Sequence, residues 1–194
     1  MPVNTVHGFS CEVPMSAFLL VLFALLTRLL PHAGWFNFTA VGGALLFFGA
    51  RRPLKQAIWA LLPLFAVDYY LTVFAYGYPF HIQAYLTTWL WYAAVLVLGD
   101  LLLKRRASVG RVVGGSLLAS TSFFAISNYA VWVGSGIYTH TLGGLIACYT
   151  AAIPFYRNDL VSTLLVTGLA FGLPALVRRY SEHAGPSASH QTAA

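Results

Sequence analysis

The residues of this chain that could do chemistry are few and fall in a small number of places. Three histidines, His32, His81 and His140, each sit in a short connection between apolar runs, among Trp35, Tyr76, Tyr78, Phe80, Tyr85, Trp132 and Tyr138. A neutral imidazole binds transition metals through a ring nitrogen. Three of them could converge on a metal ion, or one, His81 first, could be the axial ligand of a cobalt or iron macrocycle. Each could equally be a separate histidine beside the aromatic belt of a membrane interface.

A second group lies inside the apolar runs themselves. Asp68 and Arg28 are charges at positions where an unpaired ion costs roughly 3 kcal/mol or more, so each calls for a partner. An Asp68–Arg28 pair would answer for both, either as a lock between two helices or as part of a binding or gating device. Asn128 precedes Trp132 by four residues, which puts amide and indole on one helical face. Arg157, Asn158 and Asp159 form a polar step at the expected start of the last span. There the first backbone N–H groups could hold an anion, or the side chains could simply cap the helix. Asp100, four residues before Lys104, suits an ion pair without further function.

The solvent these residues meet follows from composition. Of 194 residues 59% are hydrophobic and 8% charged, with a mean hydropathy of +0.74. A water-soluble domain carries roughly 25% charged residues. A chain this short must leave about a third of its surface exposed, and so few charges cannot cover it. Lipid removes the contradiction, and the chain reads as all-α, a polytopic membrane protein.

About 20 apolar residues cross a bilayer. Six spans are predicted: Ser16 to Leu30, Phe38 to Ala50, Leu54 to Phe74, Gln83 to Leu103, Arg111 to Val133 and Asp159 to Val177. The second is short and carries Gly42, Gly43 and Gly49, which suits a helix packed closely inside a bundle. Gly143 to Phe155 is apolar but too short to cross, and predicts an extra interfacial or re-entrant helix between spans five and six, ended by Pro154. Residues 1–15 form an N-terminal segment without the basic region of a secretory signal, so Met15 would serve as a start as well as Met1. Residues 16–179 form the membrane domain and 180–194 a small, polar tail expected to be disordered.

Charge sets the orientation. Arg51, Arg52, Lys55, Lys104, Arg105, Arg106, Arg111, Arg178 and Arg179 fall on one side of six alternating spans, and Arg28 and Arg157 toward the other. The positive-inside rule makes the first side cytoplasmic, together with both termini. The formal charge of +6 is therefore an anchoring pattern and not a nucleic-acid stripe. Cys11 and Cys148 are far apart and signal neither a disulfide framework nor a zinc site. The chain has no nucleophile elbow, HExxH, CxxC or P-loop and no pair of carboxylates in one span, so no enzyme is expected.

The runs RLLPH, NFTAVGGALLFFGA from Asn37, Asp68, SNYAVWV from Ser127 and YTHTLGGLIACYTAAIPFYRN from Tyr138 resemble an uncharacterised bacterial family described only as transport proteins, over nearly all of residues 27–177. That family is similar in turn to the substrate-binding S-components of energy-coupling-factor vitamin transporters. The likeness implies six helices, both ends cytoplasmic, an outward pocket under loops, and a partner module made of a transmembrane coupling subunit and ATPases. Asp68 to Gly99 resembles the solitary vitamin B12 S-components, whose cobalt-binding cysteine follows the third helix; here the same neighbourhood holds His81 and no cysteine. Span one also lacks the small-xxx-small motif that S-components commonly use for docking.

These readings converge on a subunit for uptake of a small solute, a vitamin or a metal macrocycle such as cobalamin. Its pocket would be lined by His81, Tyr85, Asp68, Asn128, Trp132, Tyr138, His140, Asn37 and Asn158, with His81, His32 and His140 as the possible metal ligands. The competing expectation is a membrane protein that transports nothing and supports another complex. It would hold if His81, Asp68 and Asn128 faced separate helix contacts with no cavity between them.

Overall fold

A computed structural model describes residues 12–30 and 38–184. His32, Trp35 and Asn37 lie outside the described residues, as do residues 1–11 and 185–194. Six α-helices account for nearly all of the rest: α1 (Glu12–Leu29), α2 (Val41–Arg51), α3 (Ile58–Tyr70), α4 (Ile82–Leu103), α5 (Val109–Gly134) and α6 (Leu142–Ala184). A 3-10 turn, Leu54–Gln56, leads into α3, and a π turn, Leu71–Ala75, extends it. Four of these stretches are long and apolar enough to cross a membrane, Leu54–Ala75, Ile82–Leu103, Val109–Gly134 and Leu142–Ser181; α1 and α2 are shorter apolar helices.

The bundle is organised around α2. Its 11 residues rise about 16 Å, half of a ~30 Å hydrocarbon core. Every residue from Val41 to Ala50 is buried, with α1, α4, α5 and α6 packed around it. Phe48 meets Phe18 of α1 edge-on, and Phe47 meets Phe171 of α6 in the same way. The closest approach is to α4. A Cβ on Gly49 would fall on the Leu96 carbonyl, and a Cβ on Gly99 would fall on the Leu46 carbonyl. Two glycines thus face each other's backbone across one crossing, the arrangement that lets helices associate in lipid by dispersion alone.

Outside this core the polarity is reversed relative to a water-soluble protein. Ser116, Ser120, Ser162, Thr163 and Thr167 are buried, whereas Leu22, Phe23, Leu26, Leu165, Leu169 and Leu173 are exposed. Ser116, Ser162 and Thr167 donate along their own helices, whereas Ser120 and Thr163 do not. Ser116 Oγ donates to the Val112 carbonyl at 2.8 Å and also meets Thr167 Oγ1 at 2.8 Å, joining α5 to α6.

The basic clusters gather at one end. Arg51 lies 5.2 Å over the ring of Phe171 with Arg178 near it, Arg52 lies 5.1 Å over Phe18, and Arg111 donates to the Leu102 carbonyl at 3.5 Å. The expected Asp100–Lys104 ion pair is formed.

The largest departure from the sequence expectation is α6. It runs unbroken for 43 residues, about 65 Å, through both Pro154 and Pro174. Neither a separate interfacial helix nor a stop at Pro154 exists, and the helix continues through Ser181 to Ala184, into the stretch expected to be tail. Proline removes one ladder hydrogen bond, but neighbouring helices hold the flanks here. Tyr149 donates to the Ala125 carbonyl at 2.6 Å and the Tyr156 hydroxyl meets Thr121 Oγ1 at 2.9 Å, so α5 braces α6 on both sides of the ring. The true start of α6 is capped by Thr141, whose Oγ1 accepts from the Gly144 N–H at 3.2 Å.

The glycine crossing gives a direct test. Gly99→Ala should lower stability by about 1–3 kcal/mol, the range for overpacking a filled interior. Gly114→Ala, on the exposed face of α5 with open space around it, should be neutral or gain about 0.5–1 kcal/mol. Unfolding midpoints of the purified variants in one detergent would check the contrast.

Candidate functional site

At the end of the bundle opposite the basic clusters, the last turn of α1 carries Arg28. Its Nη2 donates to Asp68 Oδ1 on α3, which forms the intramembrane pair that the sequence called for. Trp89 of α4 donates its Nε1–H to Asp68 Oδ2 at 2.9 Å and stacks on Phe65 with ring centroids 4.3 Å apart. Both carboxylate oxygens are thereby satisfied, and three helices are joined through one fully buried side chain. The Thr72 hydroxyl donates to the Asp68 carbonyl at 2.7 Å and itself meets the Tyr85 hydroxyl. Thr72 lies in the π turn, a widened coil often found where a helix serves a site and not only packing.

Beyond this node three cavities adjoin. The innermost, about 130 Å³, is walled by Arg28, Tyr85, Tyr92 and Asp159. A second, about 220 Å³, lies between α5 and α6 against Ser120, Phe124, Asn128, Tyr156 and again Asp159. The third and largest, about 490 Å³, opens between α4 and α5 against His81, Thr88, Ser127 and Ser135. Phe123 and Asp159 border the first and second, Ser127 the second and third, and Thr88 the first and third. Together they form a branched cleft of a size suited to a small ligand.

Several side chains fix its walls. Trp91 donates to the Ala119 carbonyl and to Ser122 Oγ, both at 3.2 Å, and ties α4 to α5. Asn128 Nδ2 donates to the Phe124 carbonyl at 2.7 Å, which holds that amide in one rotamer. Buried Cys148 approaches the Asn128 carbonyl with its Sγ at 3.4 Å, from the α6 side.

Of the expected site residues, His81, Tyr85 and Asn128 line the cleft, and Asp68 stands behind it through Arg28. Trp132 and His140 pack on each other edge-on at 5.5 Å, and Trp132 Nε1 donates to the Thr139 carbonyl at 2.9 Å. Those contacts fasten the 135–141 connection and lie apart from the three cavities, and Tyr138 of that connection borders none of them. Asn158 sits on α6 beside Asp159 but not on the cleft walls. Because α6 begins at Leu142, Arg157, Asn158 and Asp159 lie in mid-helix. Their N–H groups belong to the helical ladder, and neither the cap nor the anion site expected of them exists. Among the described residues no three of His, Cys, Asp and Glu come together as a metal centre; His32 and Asn37 lie outside those residues.

The chain was also compared with known proteins. A family model matches residues 11–186, which takes in all six helices. The chain belongs to DUF6580, a family of unknown function. No curated protein and no solved structure matches it.

In this DUF6580 chain sequence reasoning singled out Asp159 only as part of a helix-start polar step, an anion site or a cap, and passed over Tyr92 and Ser120. The available signal was a carboxylate in an apolar run, the same signal that exposed Asp68. It was obscured because Pro154 suggested that the helix began nearby. Hydroxyls such as Ser120 give no such signal, since Ser and Thr line helix contacts throughout a membrane bundle.

The Arg28–Asp68 node should behave as a coupled pair. Asp68→Asn and Arg28→Gln should each cost about 3–5 kcal/mol, because each strands an uncompensated buried charge, while the double variant Arg28→Met with Asp68→Leu should recover at least half of that loss. A double-mutant cycle on unfolding midpoints would measure it, and additive losses would refute the coupling.

Proposed function

We propose that this protein is the solute-binding subunit of an uptake system in a bacterial inner membrane, with six membrane-embedded helices, the basic end cytoplasmic and the cleft opening outward. The observation that carries the reading is the branched cleft itself. Polar and aromatic residues from four helices border a space walled by Arg28, Tyr92, Asp159, Asn128 and His81, at the end of the bundle away from the cationic clusters. A polar cavity in lipid is costly to maintain unless something polar occupies it or passes through it. The competing role, support of another complex without transport, calls for His81, Asp68 and Asn128 to be spent on helix contacts with no cavity between them; Asp68 is so spent, while His81 and Asn128 border cavities. The likeness to vitamin-binding S-components supports the same reading, and so does the absence of any ATP-binding motif. Energy for translocation would come from another chain.

The solute enters the cleft from the side of the 135–141 connection and meets polar side chains at increasing depth, from His81 and Ser135 to Arg28 and Asp159. If a cobalt or iron macrocycle is the solute, His81 is the imidazole placed to ligate it, on the wall of the largest cavity. Screening the purified protein by thermal shift against vitamins, cobalamin and haem should raise the midpoint with at least one of them, and no shift with any would overturn this ligand class.

Orientation has its own test. In a variant lacking native cysteines, Arg105→Cys should react with a membrane-impermeant maleimide only after cells are opened, and Gly136→Cys in intact spheroplasts. The reverse pattern would place the cleft on the wrong side for uptake.

A further inference from the structure

Among the described acidic side chains, Asp68 is matched by Arg28 and Asp100 by Lys104. Asp159 has no such partner: no described cation lies within 4 Å of it, and its Oδ2, buried, accepts no hydrogen bond. Arg157 is two residues away, but two residues turn a helix by about 200°, and Arg157 is exposed on the other face of α6 while Asp159 is 7% exposed. Arg28 borders the same inner cavity, yet its charge is already balanced by Asp68. The formal charge of the deep cleft is therefore that of one carboxylate.

The surroundings of that carboxylate narrow what could neutralise it. Asp159 borders both the inner cavity and the one between α5 and α6, with its Oδ2 buried behind their walls. Next to it is the buried hydroxyl of Ser120, which faces the carboxylate, and across the inner cavity is that of Tyr92, turned toward Arg28 and Asp68. The walls are aromatic: Trp91 and Tyr92 on one side, and Phe123, Phe124 and Tyr156 on the other, with Phe124 and Tyr156 only 4.7 Å apart between centroids. A bare metal ion would want several hard oxygens, and no three potential ligands gather among the described residues. Aromatic faces and a carboxylate with vacant lone pairs instead suit an organic cation that carries N–H donors on a flat apolar body.

We propose that Asp159 is the recognition carboxylate for a monocationic solute of the amidinium, guanidinium or arylalkyl-ammonium class. Its N–H donors bond the Asp159 carboxylate and its apolar body lies between the aromatic walls of α4, α5 and α6. This assignment rests on the solute-binding reading and adds the charge and donor chemistry of the solute.

The experiment uses the full-length protein in detergent micelles and three probes of nearly one shape: benzamidinium, benzamide and benzoate. Isothermal titration and thermal shift should show benzamidinium binding at least tenfold more tightly than the other two, and Asp159→Asn should remove that preference while the unliganded midpoint stays the same or rises. Equal or tighter binding of benzamide or benzoate would sink the cationic assignment and leave a solute site standing. A benzamidinium preference that survives in Asp159→Asn, or no binding of any probe at millimolar concentration, would sink it too, whatever the vitamin screen returns. If Asp159→Asn does not accumulate, the three-probe comparison on the natural sequence decides the point alone.

Discussion

A bilayer offers no hydrogen bonds to a helix that stops halfway across it, so a short helix survives there only when other chain segments enclose it. α2 is such a helix, and the rest of the bundle can be understood as its enclosure. The Ala40 N–H leading into it donates to Thr27 Oγ1 of α1 at 3.2 Å, and the Arg52 N–H at its far end donates to the Phe48 carbonyl at 2.8 Å. Four helices cover its sides. Close cover requires thin surfaces, and the paired glycines at the α2–α4 crossing supply one. Because α2 fills only half the depth, the other helices meet directly above it only in part, and the space left at that level is where the cleft lies. Val41 and Gly42, at its first turn, border the inner cavity.

Two kinds of buried carboxylate result. Asp68 is enclosed by a guanidinium, an indole and its own helix, and it holds α1, α3 and α4 in fixed relation. Asp159 has a hydroxyl beside it, no cation within reach, and a place on the walls of two cavities. The same residue type, in the same medium, is structural in one place and available in the other, and the difference lies wholly in whether its lone pairs have donors.

Much of this was legible in the chain. The apolar runs gave the first five helices to within a few residues, because hydropathy and short charged connections are strong signals in lipid. Asp68 and Arg28 were legible as partners because each was too costly to leave alone, and His81, Tyr85 and Asn128 border the cavities. The error at α6 has a single origin. Pro154 acts through one missing N–H, a local effect, whereas the continuity of α6 depends on Tyr149 and Tyr156 gripping α5, a tertiary effect invisible to a rule about neighbours in sequence. Once the helix was cut at the wrong place, Asp159 became an end residue and lost its meaning. His140 and Trp132 misled in another way: their residue types suit a ligand site, but they are spent on each other.

The length of α6 has a mechanical consequence. Asp159 and Arg178 are on one uninterrupted rod, 19 residues or about 28 Å apart along its axis. Whatever seats against the carboxylate and tilts the upper part of that rod also swings the cationic foot at the other end. Pro154 lies just above the carboxylate and Pro174 just before the foot, so the two weakest rungs of the ladder bracket the stretch that would move as a lever.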